Sequence, residues 1–426
     1  MSIEVKKSSQ IYQDSDYILK PDNEKQVSRF VKELYKKQLP TEIIGSNSKN
    51  FIGNKLQCAK VLDLSKLSGI VEYLPEELYI KVKACTPINE IEEVLKKNNQ
   101  QLAFEPIDFG YINSSKSNKG TAAGYLSCNF SGSRRFKSGS VRDHVLGFRG
   151  VNGKGDIIKS GGTVVKNVTG YDLSKLITGS FGTLIALTEI TFKVLPSKES
   201  SSSLVIHEDD EENISQLFNK IQSSSNEISG SVFIPIGPNN EKYVQNHEKI
   251  FKFNDLQHEG SFLAIRMEGS KKSIDERIRD LTIELNLQSK KKSILDVHQS
   301  LLFWQKINNL EIFSSTKNSL VRVVVPPSKG IDLMKYLDRK YKYYIDWCGV
   351  LFWIEISDFT EEKLHIFKEF IKKLGGYITV VKNSEGTSPL KDIFTVDEIR
   401  LNISKKIKES FDPKRIFNPG KMYQGI

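Results

Sequence analysis

The sequence predicts an α+β protein of more than one domain, on three observations. Its 426 residues exceed what one ordinary hydrophobic core holds, so roughly two to three domains are expected. Strand-like and helix-like segments alternate from residue 204 to residue 390. Before them lies PSKESSSS, residues 196–203, whose proline and serine run are typical of a linker.

The individual elements follow from the spacing of apolar residues and from turn signals. Helices are predicted over residues 21–38, 86–95, 211–222, 271–285, 361–374 and 396–410. Strands are predicted over residues 41–44, 59–64, 78–84, 145–151, 156–159, 183–194, 231–234, 262–267, 320–325 and 350–356. Asn152-Gly153 indicates a hairpin. We therefore divide the chain into a domain over residues 1–196, a linker over 197–203, a second domain over 204–390 and a C-terminal segment over 391–426.

Composition excludes several classes of protein. Charged residues make up 27% and hydrophobic residues 38% of the chain, which is ordinary for a globular protein. The net charge is +10, but the basic runs are short and have acidic residues nearby. This favours a solvated surface over a nucleic-acid-binding stripe, with an acidic partner as the alternative. Residues 1–20 resemble no secretory signal, and no stretch is long enough to span a bilayer. We expect a cytoplasmic protein that reaches any inner membrane through its partners.

The four cysteines, at positions 58, 85, 128 and 348, show no CxxC spacing. This disfavours a disulfide framework, a zinc site and an iron–sulfur cluster, and we expect no metal. If the protein handles electrons, it does so with an organic cofactor or through a partner.

Three clusters of small residues indicate a cofactor site. GSNSKN, residues 45–50, follows a predicted strand, and such a loop turns successive N–H groups toward one anion, with Lys49 adding charge. Residues 120–147 and 166–189 are rich in Gly, Ser and Thr, which lets a flat ligand approach the backbone closely. There is no GxxxxGK[ST] and no GxGxxG, which disfavours a P-loop and a Rossmann site. Together the clusters favour one extended dinucleotide.

These segments resemble the flavin domain of the vanillyl-alcohol-oxidase/p-cresol-methylhydroxylase (PCMH) family. The resemblance rests on IGSNSK (44–49), LAFEPIDFG (102–110), SGSRRFKSGSVRDHVLG (131–147), KNVTGYDLSKL (166–176), GSFGTL (179–184) and the tail FDPKRIFNPGKMY (411–423). Within the family, VRVVVPPS (321–328) and IDWCGVLFWI (345–354) resemble the FAD-binding subunit of glycolate-oxidising complexes. The resemblance covers both ends of the chain and parts of its middle.

The resemblance implies a two-lobed PCMH-type FAD-binding domain, an α+β cap domain and a C-terminal segment that packs back on the FAD domain. It also implies the residues that contact FAD. The diphosphate would be held by Gly45, Ser46, Asn47, Ser48, Lys49 and Asn50. The residues along the cofactor would be Pro106, Thr121, Ala122, Gly124, Ser138, Gly139 and Arg142. The backbone of Gly182, Thr183 and Ile185 would approach it, and Asn418 would lie near the isoalloxazine.

Departures from the family pattern shape the expected chemistry. GSNSKN has no histidine for covalent flavin attachment, so we expect noncovalent FAD. Relatives that oxidise 2-hydroxy acids carry an HxGDGNxH-like motif, and none of the six histidines lies in such a pattern. The candidate catalytic residues are Arg322 for a substrate carboxylate, Asp346 for orienting a group near the ring, and His144. Each also has a structural interpretation, as an ion-paired, turn-capping or hydrogen-bonded residue.

Three hypotheses about function remain open at this point. In the first, the chain is the FAD-binding subunit of a complex that oxidises glycolate or a related 2-hydroxy acid to the 2-oxo acid. Its partners would be a catalytic flavoprotein subunit and an iron–sulfur subunit. In the second, it is a self-sufficient FAD-dependent 2-hydroxy-acid oxidoreductase. In the third, it is a scaffold subunit that has lost the use of its FAD site.

Overall fold

The computed structural model describes residues 17–114, 116–163, 170–236, 260–338 and 340–426. Within these ranges the chain has the predicted α+β architecture, with its strands in four sheets. No helix in the described part of the chain is long and apolar enough to cross a membrane.

A small parallel sheet and one helix begin the described chain. The strands are β1 (Ile18–Leu19), β2 (Thr41–Ile44) and β3 (Lys60–Asp63), in the order β1-β3-β2. Helix α1 (Glu24–Lys37) starts at Asn23, whose side chain accepts the N–H of Gln26, and ends at Gln38 in a left-handed conformation. Its buried side includes Val27 and Val31, which pack on this sheet.

The second lobe is a five-stranded antiparallel sheet with short helices. The strands are β4 (Ile70–Leu74), β5 (Tyr79–Lys83), β7 (Val145–Asn152), β8 (Ile157–Gly161) and β9 (Ile185–Lys193), in the order β4-β5-β9-β7-β8. A separate pair joins β6 (Gln100–Gln101) and β10 (Leu195–Pro196). The helices are α2 (Ile88–Lys96), α3 (Gly110–Ser114), α4 (Ala122–Cys128), α5 (Arg135–Ser138), α6 (Val141–His144) and α7 (Leu173–Ile177). The predicted hairpin at Asn152 is confirmed, since β7 and β8 pair across it.

The second half of the chain is an eight-stranded antiparallel sheet. Its strands are β11 (Ser200–His207), β12 (Gly230–Ile234), β13 (Phe262–Gly269), β14 (Lys292–Leu295), β15 (Ser319–Val324), β16 (Lys342–Asp346), β17 (Leu351–Ile356) and β18 (Tyr377–Lys382). Their order is β14-β11-β13-β12-β16-β17-β15-β18. The helices are α8 (Glu211–Ser223), α9 (Lys271–Glu284), α10 (Val297–Asn308), α11 (Gly330–Leu337) and α12 (Glu361–Lys373).

The two faces of this sheet are covered differently. One face packs against α8, α9, α11 and α12. The other packs against α10 and against apolar residues of the first half, among them Phe109 and Phe130. The first half and the second half of the chain therefore share a hydrophobic cluster on this face of the sheet.

Ser200–Ser203, which the sequence places in a linker, instead form the first half of β11. Ser201 and Ser203 are buried, and both hydroxyls hydrogen bond with Ser300 of α10, at 3.0 and 2.8 Å. A serine run is compatible with a buried strand here because a neighbouring helix satisfies its hydroxyl groups.

The C-terminal segment returns to the first half of the chain, as the sequence predicts. Helix α13 (Glu398–Phe411) carries Lys408, which is fully buried. Its Nζ donates to the carbonyl oxygens of Thr183 and Phe417, at 2.6 and 2.8 Å, and to Asp412 Oδ2 at 2.8 Å. This buried ammonium is satisfied by three acceptors and attaches the segment beside β9.

Candidate cofactor-binding site

The loop after β2 presents unused hydrogen-bond donors. No described group accepts a hydrogen bond from the backbone N–H groups of residues 46–49. Asn47 has φ 57°, a left-handed conformation, and such a residue between right-handed neighbours turns successive N–H groups toward one side. The side chains of Ser46 and Ser48 lie beside them, with their hydroxyl oxygens 3.4 Å apart. This is the geometry of an anion-binding loop.

This loop forms part of the lining of a cleft. The other lining residues come from α4, from the turn around Gly182 and from β9. Asn418 and Lys421 of the C-terminal segment close one side. The cleft is therefore formed by both lobes and by the returning segment. Residues from all three small-residue clusters line it.

Glycines allow the segments around the cleft to lie close together, because they have no side chain. A Cβ at Gly120 would lie 2.2 Å from Ser48 Oγ and 2.9 Å from Lys49 Nζ. A Cβ at Gly182, which has φ 69°, would lie 2.8 Å from Asn418 Nδ2. Neither position tolerates a side chain without displacing a group that lines the cleft. These contacts support close approach of a ligand to the backbone.

Two lysines supply positive charge to the cleft. Lys49 Nζ donates to the carbonyl oxygen of Lys119 at 3.0 Å and lies 4.0 Å from the centroid of the Tyr125 ring. Lys421 Nζ donates to the carbonyl oxygen of Asn50 at 3.3 Å. Burial lowers the pKa of Lys49 to about 8 and also lowers the pKa of Lys421. No described carboxylate lies within 4.0 Å of either ammonium, so the cleft has a charge surplus that suits a diphosphate.

Asn418 connects three parts of the site. Its Oδ1 accepts the N–H of Ile43, and its Nδ2 donates to the carbonyl oxygen of Phe181, both at 2.8 Å. It adopts φ 42°, which asparagine tolerates better than most residues. The side chain thus joins β2 to the turn that contains Gly182.

The predicted contact residues divide into two groups. Those that line the cleft are Gly45, Ser46, Asn47, Ser48, Lys49, Asn50, Thr121, Gly124, Gly182, Ile185 and Asn418. Those that do not line it are Pro106, Ala122, Ser138, Gly139, Arg142 and Thr183.

The second group has structural partners in place. Ala122 is fully buried in the core of its lobe. Arg142 Nε donates to the carbonyl oxygen of Lys175. The Thr183 hydroxyl donates to the carbonyl oxygen of Ser180. Pro106 lines a different cavity. The Ser138 carbonyl oxygen accepts a hydrogen bond from His144 Nε2, and a Cβ at Gly139 would meet Asp143. Their contact with FAD stays a prediction.

The sequence reasoning missed several cleft residues, among them Cys85, Cys128, Phe181 and Lys421. Lys421 had a signal, since it stands three residues after Asn418 in the same NPGK motif. Burial raises the pKa of the Cys85 thiol to about 12 and that of Cys128 to about 11. Both thiols are therefore protonated at neutral pH and are weak nucleophiles.

The three candidate catalytic residues lie outside the lining of the cleft. His144 is buried, its Nε2 donates to the Ser138 carbonyl oxygen at 2.9 Å, and burial lowers its pKa. Asp346 accepts hydrogen bonds from Ser133 Oγ and from the N–H of Trp347, both at 2.7 Å. Burial raises the pKa of Asp346 to about 7. Arg322 is 7% exposed and lies against aromatic rings.

A cluster of four largely buried charges joins the first half of the chain to the eight-stranded sheet. It consists of Glu105, Arg134, Arg266 and Glu268, and we call it the four-charge cluster. Arg266 donates to both oxygens of Glu105, at 2.7 and 3.0 Å, and Arg134 donates to both oxygens of Glu268, at 3.0 and 2.7 Å. Burial opposes ionisation of Glu105 and Glu268. The two arginines outweigh this effect and lower the pKa of Glu105. They also lower the pKa of Glu268, to about 2.

No group of three or more His, Cys, Asp or Glu side chains in the described ranges could hold a metal ion.

Comparison with known proteins agrees with the geometry of the cleft. A family profile described as "FAD binding domain" matches residues 15–161. A 4-ethylphenol oxidase from Gulosibacter chungangensis superimposes with a TM-score of 0.68 over 96% of this chain and 89% of that one, at 13% identity. An alkyldihydroxyacetonephosphate synthase gives a TM-score of 0.64 over 94% and 75%, at 17% identity. At such identities these two structures show the fold alone.

Relatives in sequence define the protein further. Glycolate oxidase subunit GlcE of Escherichia coli (strain K12) is 32% identical over 386 residues, which cover 90% of this chain and 93% of that protein. Glycolate oxidase subunit GlcD of Bacillus subtilis (strain 168) is 26% identical over 96% of this chain and 89% of that protein. The fold and the cleft thus define an FAD-dependent oxidoreductase with a PCMH-type FAD-binding domain. Within that class, the chain belongs to the family of the E subunit of glycolate oxidase.

Proposed function

We propose that this chain is the FAD-binding subunit of a complex that oxidises glycolate or a related 2-hydroxy acid to the 2-oxo acid. It would act with a catalytic flavoprotein subunit and an iron–sulfur subunit, in the cytoplasm. The observation that carries the FAD site is the loop 46–49, whose backbone N–H groups have no described acceptor and whose Lys49 ammonium faces no described carboxylate. A diphosphate provides the acceptors and the negative charge that this loop lacks.

Bound FAD supplies the hydride and electron chemistry; the residues of this chain hold it. Gly182 and Asn418 border the end assigned to the ring, while the loop 45–50 borders the diphosphate end. No histidine lines the cleft, and its ionisable groups among the described residues are Glu42, Lys49, Cys85, Cys128 and Lys421. Glu42 is the carboxylate in this set, and the sequence has no HxGDGNxH-like motif to place a histidine beside it. The missing motif supports a division of labour with a catalytic partner.

Noncovalent attachment is part of the proposal. The thiols that line the cleft are kept protonated by burial, and a protonated thiol does not add to a flavin. We expect acid precipitation of the purified chain to release all of its flavin into the supernatant. Flavin that stays with the precipitate would contradict this part of the proposal alone.

The central experiment is a flavin titration of the isolated chain. Saturable FAD binding is expected; its absence would leave the scaffold hypothesis. Anaerobic addition of glycolate or D-lactate to the isolated holoprotein should leave the flavin oxidised. Bleaching would support the self-sufficient oxidoreductase instead.

Matched variants test the site itself. Gly182→Ala places a Cβ 2.8 Å from Asn418, whereas Gly386→Ala has a similar φ of 75° and no atom within 4 Å. Both variants carry backbone strain at a positive φ. Only Gly182→Ala also places an atom against a residue of the cleft, so it alone should weaken FAD binding. Lys49→Met should weaken FAD binding about tenfold or more through a lost charge-assisted hydrogen bond. The same change should leave the FAD-free protein as stable as before, since it removes an unpaired ammonium.

A further inference from the structure

Two guanidinium groups lie against the ring of Trp347. The guanidinium carbon of Arg135 is 4.2 Å from the centroid of this ring, and that of Arg322 is 5.1 Å away. Arg322 also lies 5.6 Å from the ring of Phe130. Arg135 belongs to α5 of the FAD domain, and Arg322 belongs to β15 of the eight-stranded sheet. We call Arg135 and Arg322 the arginine pair.

The arginine pair has no counter-charge in the described part of the chain. No described carboxylate lies within 4.0 Å of either guanidinium. Asp346 is adjacent to Trp347 in sequence, but its oxygens accept from Ser133 and from the backbone. Burial lowers the pKa of Arg322 to about 10; Tyr377 opposes this change and Arg135 adds to it. Arg322 therefore stays charged at neutral pH, beside a second cation.

Arg322 has a hydrogen bond with Tyr377 but no counter-charge among the described residues. A buried cation without a counter-charge is unfavourable, and a neighbouring like charge makes it more so. The missing component is an anion. A guanidinium binds a carboxylate through two parallel N–H donors, and flat aromatic rings beside it exclude water. We propose that Arg135 and Arg322 form a binding site for a small carboxylate, with Trp347 and Phe130 as its apolar walls.

The position of this site gives it two consequences. Phe130 stands two residues after Cys128, which lines the cofactor cleft, so the site adjoins that part of the cleft. The carboxylate would also bridge the FAD domain and the sheet, because each arginine comes from a different one. The choice of a carboxylate over another anion rests on the proposed function, whose substrates and products are small carboxylates.

Oxalate is a suitable probe, since it has two carboxylates and no hydroxyl group to oxidise. The full-length holoprotein is titrated with oxalate at constant ionic strength while tryptophan fluorescence is recorded. We expect a saturable change that disappears in Trp347→Phe. Arg135→Met and Arg322→Met should each weaken binding about tenfold or more, because each removes charge-assisted hydrogen bonds.

The matched control is Arg29→Met. Arg29 lies 5.2 Å from the ring of Phe30, a similar cation–ring contact on the exposed side of α1. It should leave oxalate binding unchanged. If Arg322→Met does not fold, Arg135→Met carries the test, since Arg135 is only partly buried.

Two results would overturn the assignment. One is the absence of saturable oxalate binding, or equal binding in Arg135→Met and the wild type. The other is inorganic phosphate binding as tightly as oxalate, which would make this a general anion site. Flavin content is measured on the same samples. A chain that binds oxalate but no FAD would refute the proposed function and keep the carboxylate site.

Discussion

Arg134 and Arg135 are neighbours in sequence but enter opposite environments. Arg134 joins the four-charge cluster, where two arginines face two glutamates. Arg135 joins the arginine pair around Trp347, where two cations face no carboxylate among the described residues. Both sets connect the FAD domain to the eight-stranded sheet. They differ in whether the protein itself completes the charge balance.

The difference separates a structural contact from a binding site. A buried ion pair with good geometry recovers the cost of removing its charges from water, and it then needs nothing further. A buried cation without a partner keeps that cost until an anion arrives. The two regions share similar aromatic surroundings, because Arg266 lies 4.5 Å from the ring of Trp304 much as Arg322 lies beside Trp347. Charge balance, rather than burial or stacking, is therefore what distinguishes them.

Arg266→Met should have the largest effect on stability. Arg266 is 2% exposed and is bonded to both oxygens of Glu105. Its removal leaves a buried carboxylate short of a partner, which destabilises by about 3–5 kcal/mol. Urea unfolding at neutral pH measures this, with Arg29→Met as an exposed control. A loss no larger than that of the control would show that the four-charge cluster contributes little.

The four-charge cluster should also make the protein sensitive to acid. The pKa of Glu268 falls from its ordinary 4.5 to about 2, and that of Glu105 is lowered too. Stability from these carboxylates is present above pH 4.5 and is lost as the pH falls toward 2. We expect about 2–3 kcal/mol to disappear over this range. Glu268→Gln, compared at several pH values by urea unfolding, should show a shallower decline than the wild type.

Asp346 should respond to pH with the opposite sign. Burial raises its pKa from 3.8 to about 7, so its contribution to stability is present below pH 3.8 and is lost as the pH rises through 7. Asp346→Asn cannot ionise; its amide oxygen can accept the Trp347 N–H, and its NH2 group can donate to the Ser133 hydroxyl oxygen. The variant should gain about 1–2 kcal/mol relative to the wild type at pH 8. Equal pH profiles for the two proteins would mean that Asp346 titrates normally.

Local features were predictable from sequence, and the completed site was not. The loop 45–50 is predictable from the sequence because the residues that give it its character are six consecutive residues. The hairpin at Asn152 was predictable for the same reason. Lys421 was missed as a cleft residue because it reaches Asn50 across 371 positions. The serine run was assigned to a linker because its partner, Ser300, lies on a helix about a hundred residues later.

The arginine pair shows the same limit of prediction from sequence. Arg322 was identified as a residue able to hold a carboxylate, from its charge and sequence surroundings. Its partner Arg135 and the ring of Trp347 come from separate segments that only the folded chain brings together. Whether an arginine is paired depends on such distant neighbours. The sequence alone favours a structural role for Arg322, as a surface or ion-paired strand residue.

Arg322→Met should have the smallest effect on stability, and it compares the arginine pair with the four-charge cluster most directly. Arg322 is 7% exposed, nearly as buried as Arg266. Its removal loses a cation–ring contact worth about 0.5–2 kcal/mol, but it also removes an unpaired buried charge. The two terms oppose each other, so the free energy of unfolding should change by less than about 1 kcal/mol. Urea unfolding beside Arg266→Met tests this directly. A loss as large as that of Arg266→Met would mean that Arg322 already has its counter-charge, and the distinction between the two regions would collapse.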